Sequence, residues 1–394
     1  ILSSAMVSQP NNLLEYLIEV NLPLAARCAA QSDIKVSADL KTKIQQLLIN
    51  RSQDTDADLR HRIAVGLALG NLGDPRYEIC PGEYGTYYLP PLLSIPSGVY
   101  KIGSEEKEAD KDEWGGPFVA LNEFQIGRFP VTNAEWSLFM KAGGYEDERW
   151  WTTDAAKIWW RGESTAIETR NRMREEKVWL DVNFDNLSKI GDAPTEIVKI
   201  CKSITVMDKI QFENAIEEKF PSSRFRQPRH WSNRAFNNPS QPIVGICLHE
   251  AQAYCAWLSA QTGKIFRIPT EFEWEAAARG FAGRIYAHGN EYNPLYFNVL
   301  DTHVGHTTPV GVFPNGSTPE GLFDMIGNCW EWTTSTYKPY SIWNDTQMAA
   351  ISKIVRRGSW YGGTRNIRAS SRYWNSPNRR NDYLGFRLVC SVLP

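Results

Sequence analysis

At 394 residues the chain has room for two to four domains of ordinary size, so a single small module is excluded. Hydrophobic residues at 42% and charged residues at 22% mark a globular chain and exclude global disorder or a coiled-coil rod. Basic side chains number 43 and acidic ones 45, and the net charge of −2 gives the whole molecule no attraction for nucleic acid or an anionic membrane. The richest apolar stretch, Tyr87 to Ile95, contains two prolines and falls short of the roughly 18 residues a membrane helix needs. The seven cysteines (Cys28, Cys80, Cys201, Cys247, Cys255, Cys329, Cys390) are scattered, with no C-x-x-C pair. They predict thiols kept in a reducing, cytoplasmic compartment. A first residue of Ile1 and no leader ahead of Leu13 predict a fragment of a longer intracellular protein.

Residues 1–75 read as helices. Apolar positions recur at spacings of three and four through Leu13, Leu14, Leu17 and Ile18, then Leu24 to Ala30, Leu40 to Ile49 and Asp58 to Leu72, with a polar linker at Arg51 to Asp56. Gly70, Gly73 and Pro75 end the last of them. This region resembles the helical-repeat part of STAND-type NTPases, and an ordinary helical cap on the following domain is the other reading. Residues 76–394 form the second predicted domain. From about Pro90 its pattern turns to short strands, such as Gly98 to Gly103 and Phe124 to Gly127, with many aromatics and Gly/Pro punctuation. Helices are predicted over Asn133 to Lys141 and His249 to Gln261, and a third from Thr270, where Thr270 and Glu273 fit a capping box. Residues 143–240 show no clear period and read as an insertion.

Five motifs then follow in order: Phe129-Pro130-Val131-Thr132-Asn133, Arg267-Ile268-Pro269-Thr270-Glu271-Phe272-Glu273-Trp274-Glu275, Gly327-Asn328-Cys329-Trp330-Glu331-Trp332, Arg357-Gly358-Ser359-Trp360 and Gly385-Phe386-Arg387-Leu388. Together they resemble the formylglycine-generating-enzyme/sulfatase-modifying-factor family, which implies an α+β, C-type-lectin-like domain preceded here by the small helical region. Read from the residues alone, Trp330 and Trp332 share one strand face and turn Glu331 to the other, where a buried carboxylate needs a cation or a donor. The resemblance implies calcium, held by side-chain oxygens of Asp324 and Glu331 and backbone carbonyls of Gly327 and Cys329; a salt bridge is the other reading. A second family calcium site would fall at Asn298 and Val299, with Asp301 the nearest acid.

The family's copper-dependent oxidases hold their metal with two cysteines after the Gly-Ser-aromatic motif, because thiolates suit Cu(I). Here that segment is Tyr361-Gly362-Gly363-Thr364-Arg365-Asn366-Ile367-Arg368, so copper and formylglycine generation are not expected. Iron-dependent sulfoxide synthases share the fold and use three histidines; His303 and His306 are the only pair here with ligand-like spacing. A metal-dependent oxidase of altered chemistry is retained as an alternative on that ground.

Residues 353–387 hold nine cations (Lys353, Arg356, Arg357, Arg365, Arg368, Arg372, Arg379, Arg380, Arg387) against Asp382 alone, a local excess of +8 interleaved with Trp360, Tyr361, Tyr373, Trp374 and Tyr383. Rings with small polar residues are the composition of binding surfaces. The layout resembles the variable region of diversity-generating-retroelement proteins, which implies a non-catalytic sensor or display protein that recognises a peptide or protein. The ligand-binding residues would be Tyr361, Gly362, Gly363, Arg365, Ser371, Tyr373, Trp374, Ser376, Asn381, Asp382 and Tyr383. A structural module of a larger STAND-type signalling protein, with the basic segment merely packing, is the second reading. Nucleic-acid binding along the cationic strip is the remaining one.

Overall fold

The computed structural model describes residues 9–107, 109–187, 195–338, 340, 352–356, 358–363 and 367–391. The N-terminal helices are α1 (Pro10–Val20), α2 (Leu22–Ala29), α3 (Ala38–Ser52) and α4 (Leu59–Leu72). They bury their apolar stripes against each other, with Leu14, Ala26, Ile44, Leu48, Val65 and Leu69 at the centre. Ser37 and Asp58 cap α3 and α4 by accepting from Leu40 and from Arg60 and His61.

The last of these helices docks through glycines. A Cβ on Gly66 would lie 2.7 Å from Pro309 Cβ, and one on Gly70 would lie 2.7 Å from the Ser240 nitrogen. The close approach lets Ser240 Oγ donate to the Gly66 carbonyl (2.9 Å), while Arg62 Nη1 donates to that of Val312 (3.0 Å). Residues 1–150 and 227–394 accordingly make one compact unit, across the boundary expected at 75.

Next come β1 (Glu78–Cys80), β2 (Tyr87–Leu89), β3 (Leu92–Ile95), β4 (Gly98–Lys101), β5 (Phe118–Leu121), β6 (Phe124–Gly127) and α5 (Asn133–Lys141). Trp151 to Arg226 form a second compact unit. It holds α6 (Asp154–Trp160), α7 (Ile167–Leu187), α8 (Thr195–Thr205) and α9 (Lys209–Lys219), in the middle of the stretch where the sequence shows no period. Inside that unit Trp151 stacks on Trp159 at 5.4 Å, and Arg174 grips Glu213 with Nε and Nη2.

The remaining elements are α10 (Leu248–Thr262), β7 (Ile265–Arg267), α11 (Glu271–Arg279), β8 (Trp330–Thr336), β9 (Lys353–Arg356), β10 (Arg372–Asn375), β11 (Leu384–Gly385) and β12 (Val389–Ser391). Capping boxes open α5 (Thr132 with Glu135), α9 (Asp208 with Gln211), α10 (Cys247 with Glu250) and α11 (Thr270 with Glu273). One sheet runs β3-β6-β12-β7, all antiparallel, and another runs β10-β9-β8-β11, with β11 parallel to β8. The main core gathers Phe124 and Ile126 of β6, Val389 of β12, Trp274 and the alanines of α11, and Met325 with Ile326. β10 is an outermost strand of its sheet among the described residues, and this places residues 372–375 at the rim.

Candidate functional site

The cationic strip is a framework rather than a surface. Arg356, Arg368, Arg372, Arg380 and Arg387 are all buried, and each meets a buried carboxylate contributed by an earlier element. Arg356 pairs with Glu275 of α11, Arg368 with Glu113, Arg372 with Glu271 (2.9 Å), Arg380 with Glu250 of α10 (3.0 Å) and Arg387 with Glu331 of β8 (3.1 Å). The neighbouring charge raises the Arg356 guanidinium pKa against the desolvation that lowers it. Five of the nine cations are therefore neutralised inside the fold, which removes most of the surface charge on which the nucleic-acid reading rested. The acids sit far upstream, so a local charge count misses the neutralisation. Arg357 and Arg365 lie outside the described residues.

What this framework presents outward is rings. Tyr361 is 42% exposed, Tyr373 54% and Trp374 36%. Along the rim of the sheet the rings run Tyr337, Trp374, Tyr373, Trp330, with centroids 6.1, 5.9 and 6.0 Å apart and the Tyr373 and Trp374 planes 7° from parallel. A second run joins Tyr383 to Tyr361 (4.8 Å), Trp360 (5.3 Å) and Phe236 (6.0 Å), and the rings of His230 and His306 both flank Phe236. The two runs are tied where the Trp330 N–H donates to the Tyr383 carbonyl (2.7 Å). Burial, a hydrogen bond with Tyr383 and nearby Asp382 hold the Tyr361 phenol above its ordinary pKa, so the Tyr361 hydroxyl stays a neutral group. Asn381 Nδ2 donates to the Tyr383 hydroxyl and steadies that ring.

The expected ligand-binding positions divide. Tyr361, Tyr373 and Trp374 are exposed, and Gly363, Ser376, Asn381, Asp382 and Tyr383 are half-buried around them. Ser371 and Gly362 are corrections: Ser371 is buried beside Arg372, and Gly362 is folded under the loop, its N–H donating to Ser359 and its carbonyl accepting from Leu300. Arg365 lies outside the described residues. The sequence reading missed Tyr337, half-buried at one end of the rim, and the buried Trp330 and Phe236 that pack behind the exposed rings. Tyr337 follows the strand motif directly, but Phe236 sits in the aperiodic stretch and carries no sequence signal.

The donor set assigned to calcium does not fit that ion. Glu331 is buried on the Arg387 guanidinium, and its Oε2 also accepts from Trp274 Nε1 (2.5 Å). A dication beside a fully buried guanidinium is electrostatically unfavourable, and the carboxylate is already satisfied. Asp324 accepts from the Gly311 N–H (2.9 Å) and Asn328 Nδ2 (3.2 Å), so it serves a turn rather than a cation. Gly327 and Cys329 flank Asn328 in that turn, and no cluster of three or more His, Cys, Asp or Glu suited to a metal occurs among the described residues. At the second position Asp301 accepts from the Tyr292 hydroxyl (2.6 Å) and Asn298 Nδ2 donates to His306 and Asn328. His303 is exposed in a left-handed turn (φ 54°), while the Nδ1 of His306 hydrogen-bonds the Thr307 carbonyl (2.7 Å), and no metal cluster unites them.

Comparison with known proteins locates this geometry in a family. The sequence profile of the sulfatase-modifying factor enzyme 1-like domain matches residues 83–392. The chain is 27% identical over 330 residues to the inactive C-alpha-formylglycine-generating enzyme 2 of Mus musculus, covering 79% of this chain and 90% of that protein. It is 28% identical over 335 residues to the formylglycine-generating enzyme of Thermomonospora curvata (77% and 94%) and 27% identical over 331 residues to the hercynine oxygenase of Mycolicibacterium smegmatis (79% and 63%). Among solved structures it is similar to PvdO from Pseudomonas aeruginosa (20% identity, TM-score 0.47) and to Treponema denticola variable protein 1 (16%, TM-score 0.47); each comparison covers 81% of this chain and all of the other.

Proposed function

The chain belongs to the family of sulfatase-modifying factor enzyme 1-like domains, and we propose that it is a binding member of that family, which captures a peptide or protein on its ring surface and performs no oxidation. One observation carries the reading. The segment in which the family's copper enzymes place their thiols has no cysteine at 361–368, and the described residues there present exposed rings on a framework of buried ion pairs. Tyrosine and tryptophan give large contact area at small entropic cost when their backbone is already fixed. The half-buried Asn381, Asp382 and Ser376 around them supply polar contacts whose partners can vary.

The relatives include a protein named inactive as well as named enzymes, so it is the residues of 361–368, not family membership, that support binding over catalysis. No disulfide joins the seven cysteines. A reducing, cytoplasmic location belongs to the proposal, as does a place beside signalling domains in a longer chain. No helix among the described residues is long and apolar enough to cross a membrane.

The test has two arms. The protein, loaded with Cu(I) and separately with Fe(II), is assayed for oxygen consumption with a cysteine-containing peptide and with free thiols; turnover at a rate that falls in a Tyr361→Ala variant would return the site to catalysis. The protein is also used to select from a displayed random-peptide library. Enriched peptides whose binding is lost in Tyr361→Ala and Tyr373→Ala support the proposal.

A further inference from the structure

Main-chain geometry at the rim says how such a peptide would be held. Trp330 of β8 turns its N–H toward the Tyr383 carbonyl beside β11, so the main-chain groups of the next residue, Glu331, face β9. Glu331 is paired with Arg356 in register. The alternation of an antiparallel pair then turns Arg356 and Ile354 toward β8, and the Thr333 hydroxyl donating to the Ile354 carbonyl (2.8 Å) agrees with this. Val355 and Lys353 consequently face β10, where they meet Tyr373 and Asn375. The N–H and C=O of Arg372 and Trp374 are left pointing out of the sheet.

Among the described residues no backbone hydrogen bond reaches those outward groups. Arg372 is buried, with its guanidinium on Glu271 and on the carbonyls of Asp112 and Lys338, so its edge is covered. Trp374 is open to solvent, and so is Tyr373 beside it. The outward donor and acceptor of Trp374 therefore belong to a stretch of edge that carries two exposed rings. Because the buried arginines Arg356, Arg372, Arg380 and Arg387 are neutralised internally and the side chains exposed on this edge are rings, the surroundings favour apolar contact and main-chain pairing over charge.

We propose that the edge of β10 at Trp374 is a strand-receiving site: an extended, uncharged peptide segment of a partner protein pairs its backbone with the N–H and C=O of Trp374 and lays apolar side chains against Tyr373 and Trp374. This rests on the binding reading above and adds the mode of recognition to it. Phosphate, nucleic acid and metal have no part in it.

The experiment uses the full chain and a peptide enriched from a random dodecapeptide display library, measured by fluorescence anisotropy. N-methylation of the one peptide amide that pairs with Trp374 is expected to weaken binding about tenfold, while the neighbouring amides, which point away, tolerate it. Trp374→Pro, which removes the outward N–H and leaves the β9 ladder intact, is expected to lose about tenfold more than Trp374→Ala. If every amide tolerates methylation while Tyr361→Ala and Tyr373→Ala abolish binding, the edge pairing is wrong and the ring surface stands. If the ring variants bind normally, or no peptide is enriched, the ring-surface reading fails and takes this inference with it. If the protein instead dimerises in a concentration-dependent way that Trp374→Pro abolishes, the edge belongs to a second copy and the inference is overturned. The methylation scan does not depend on how well the proline variant folds.

Discussion

Replacing Arg387 by Met and, separately, Tyr373 by Ala should separate framework from surface. Arg387 is fully buried, pairs with Glu331 at 3.1 Å and also donates to the carbonyls of Gly127 and Phe323 at 2.7 and 2.8 Å. Its removal leaves Glu331 buried with the Trp274 indole as a remaining donor, and uncompensated buried charges of this kind cost about 3–5 kcal/mol. Tyr373 is 54% exposed, so truncating it forfeits about half the burial of a ring, about 1 kcal/mol. Urea unfolding, read as the shift in midpoint at unchanged slope, measures both. The Arg387→Met/Glu331→Leu double variant should recover the part of the loss that comes from the stranded carboxylate, while the Gly127 and Phe323 carbonyls and the Trp274 N–H lose these partners in it as well. Equal losses for Tyr373→Ala and Arg387→Met would refute the division, because the ring would then be part of the packing. A neutral Arg387→Met would refute it from the other side.

Other outcomes follow from the same coordinates. Glu135 is fully buried and accepts from the Thr132 N–H and hydroxyl (both 2.7 Å), and desolvation raises its pKa from 4.5 to about 7. The native protein thus holds this proton after the unfolded chain has lost it. Stability should fall as pH rises from about 4.5 through about 7, and Glu135→Gln should gain about 3 kcal/mol over the parent above that range and nothing below it; a pH-independent difference in urea midpoints would exclude the linkage. His249 runs the opposite way, its pKa lowered to about 4 by burial against hydrogen bonds with Asn378 and Gln252. Its contribution is complete above about pH 6.5 and is lost as pH falls toward about 4, by about 3 kcal/mol, so His249→Gln should flatten the acid limb of the stability profile. Dialysis against a calcium chelator should leave the melting temperature unchanged, because Arg387 and Trp274 already satisfy Glu331; a fall restored by added calcium would reinstate the ion.

The sequence was most legible where a local rule acts alone. Thr270 with Glu273 announces a capping box, and the apolar positions at 251, 254, 255 and 258 announce α10. Trp332 and Glu331 alternate as a strand requires, and both end fully buried. It was least legible where pairing is distant. Nothing near Arg368 or Arg372 names Glu113 or Glu271, more than 100 positions upstream, so the strip read as exposed charge. Glu331 shows the same limit: the need for a partner is local knowledge, but choosing between a cation ligand and Arg387 requires knowing that the final motif returns beside β8. The helices of residues 151–226 were hidden for another reason. Val178, Trp179, Val182, Val206 and Ile210 are all exposed there, so apolar residues do not mark a buried stripe.

A segment that is diversified must also keep folding, and this sets a pattern that the framework dictates position by position. Exposed positions tolerate most side chains at little cost, whereas a change at one end of a buried ion pair strands the other. Among copies of this segment that differ in one genome or clonal population, changes should therefore fall at Tyr361, Tyr373, Trp374, Ser376, Asn381, Asp382 and Tyr383. They should spare Arg356, Arg368, Arg372, Arg380 and Arg387 together with their carboxylates. Ser371 and Gly362, which the variable-region resemblance includes, should be spared too, because one is buried beside an ion pair and the other has a Cβ direction only 3.2 Å from the Ser359 backbone. Sequencing the codons for 353–391 in many isolates tests this directly. Substitutions spread evenly over rings and arginines would mean that the pairs do not hold the segment. Invariant rings with drifting loops would mean that the exposed surface serves one fixed partner rather than a changing set.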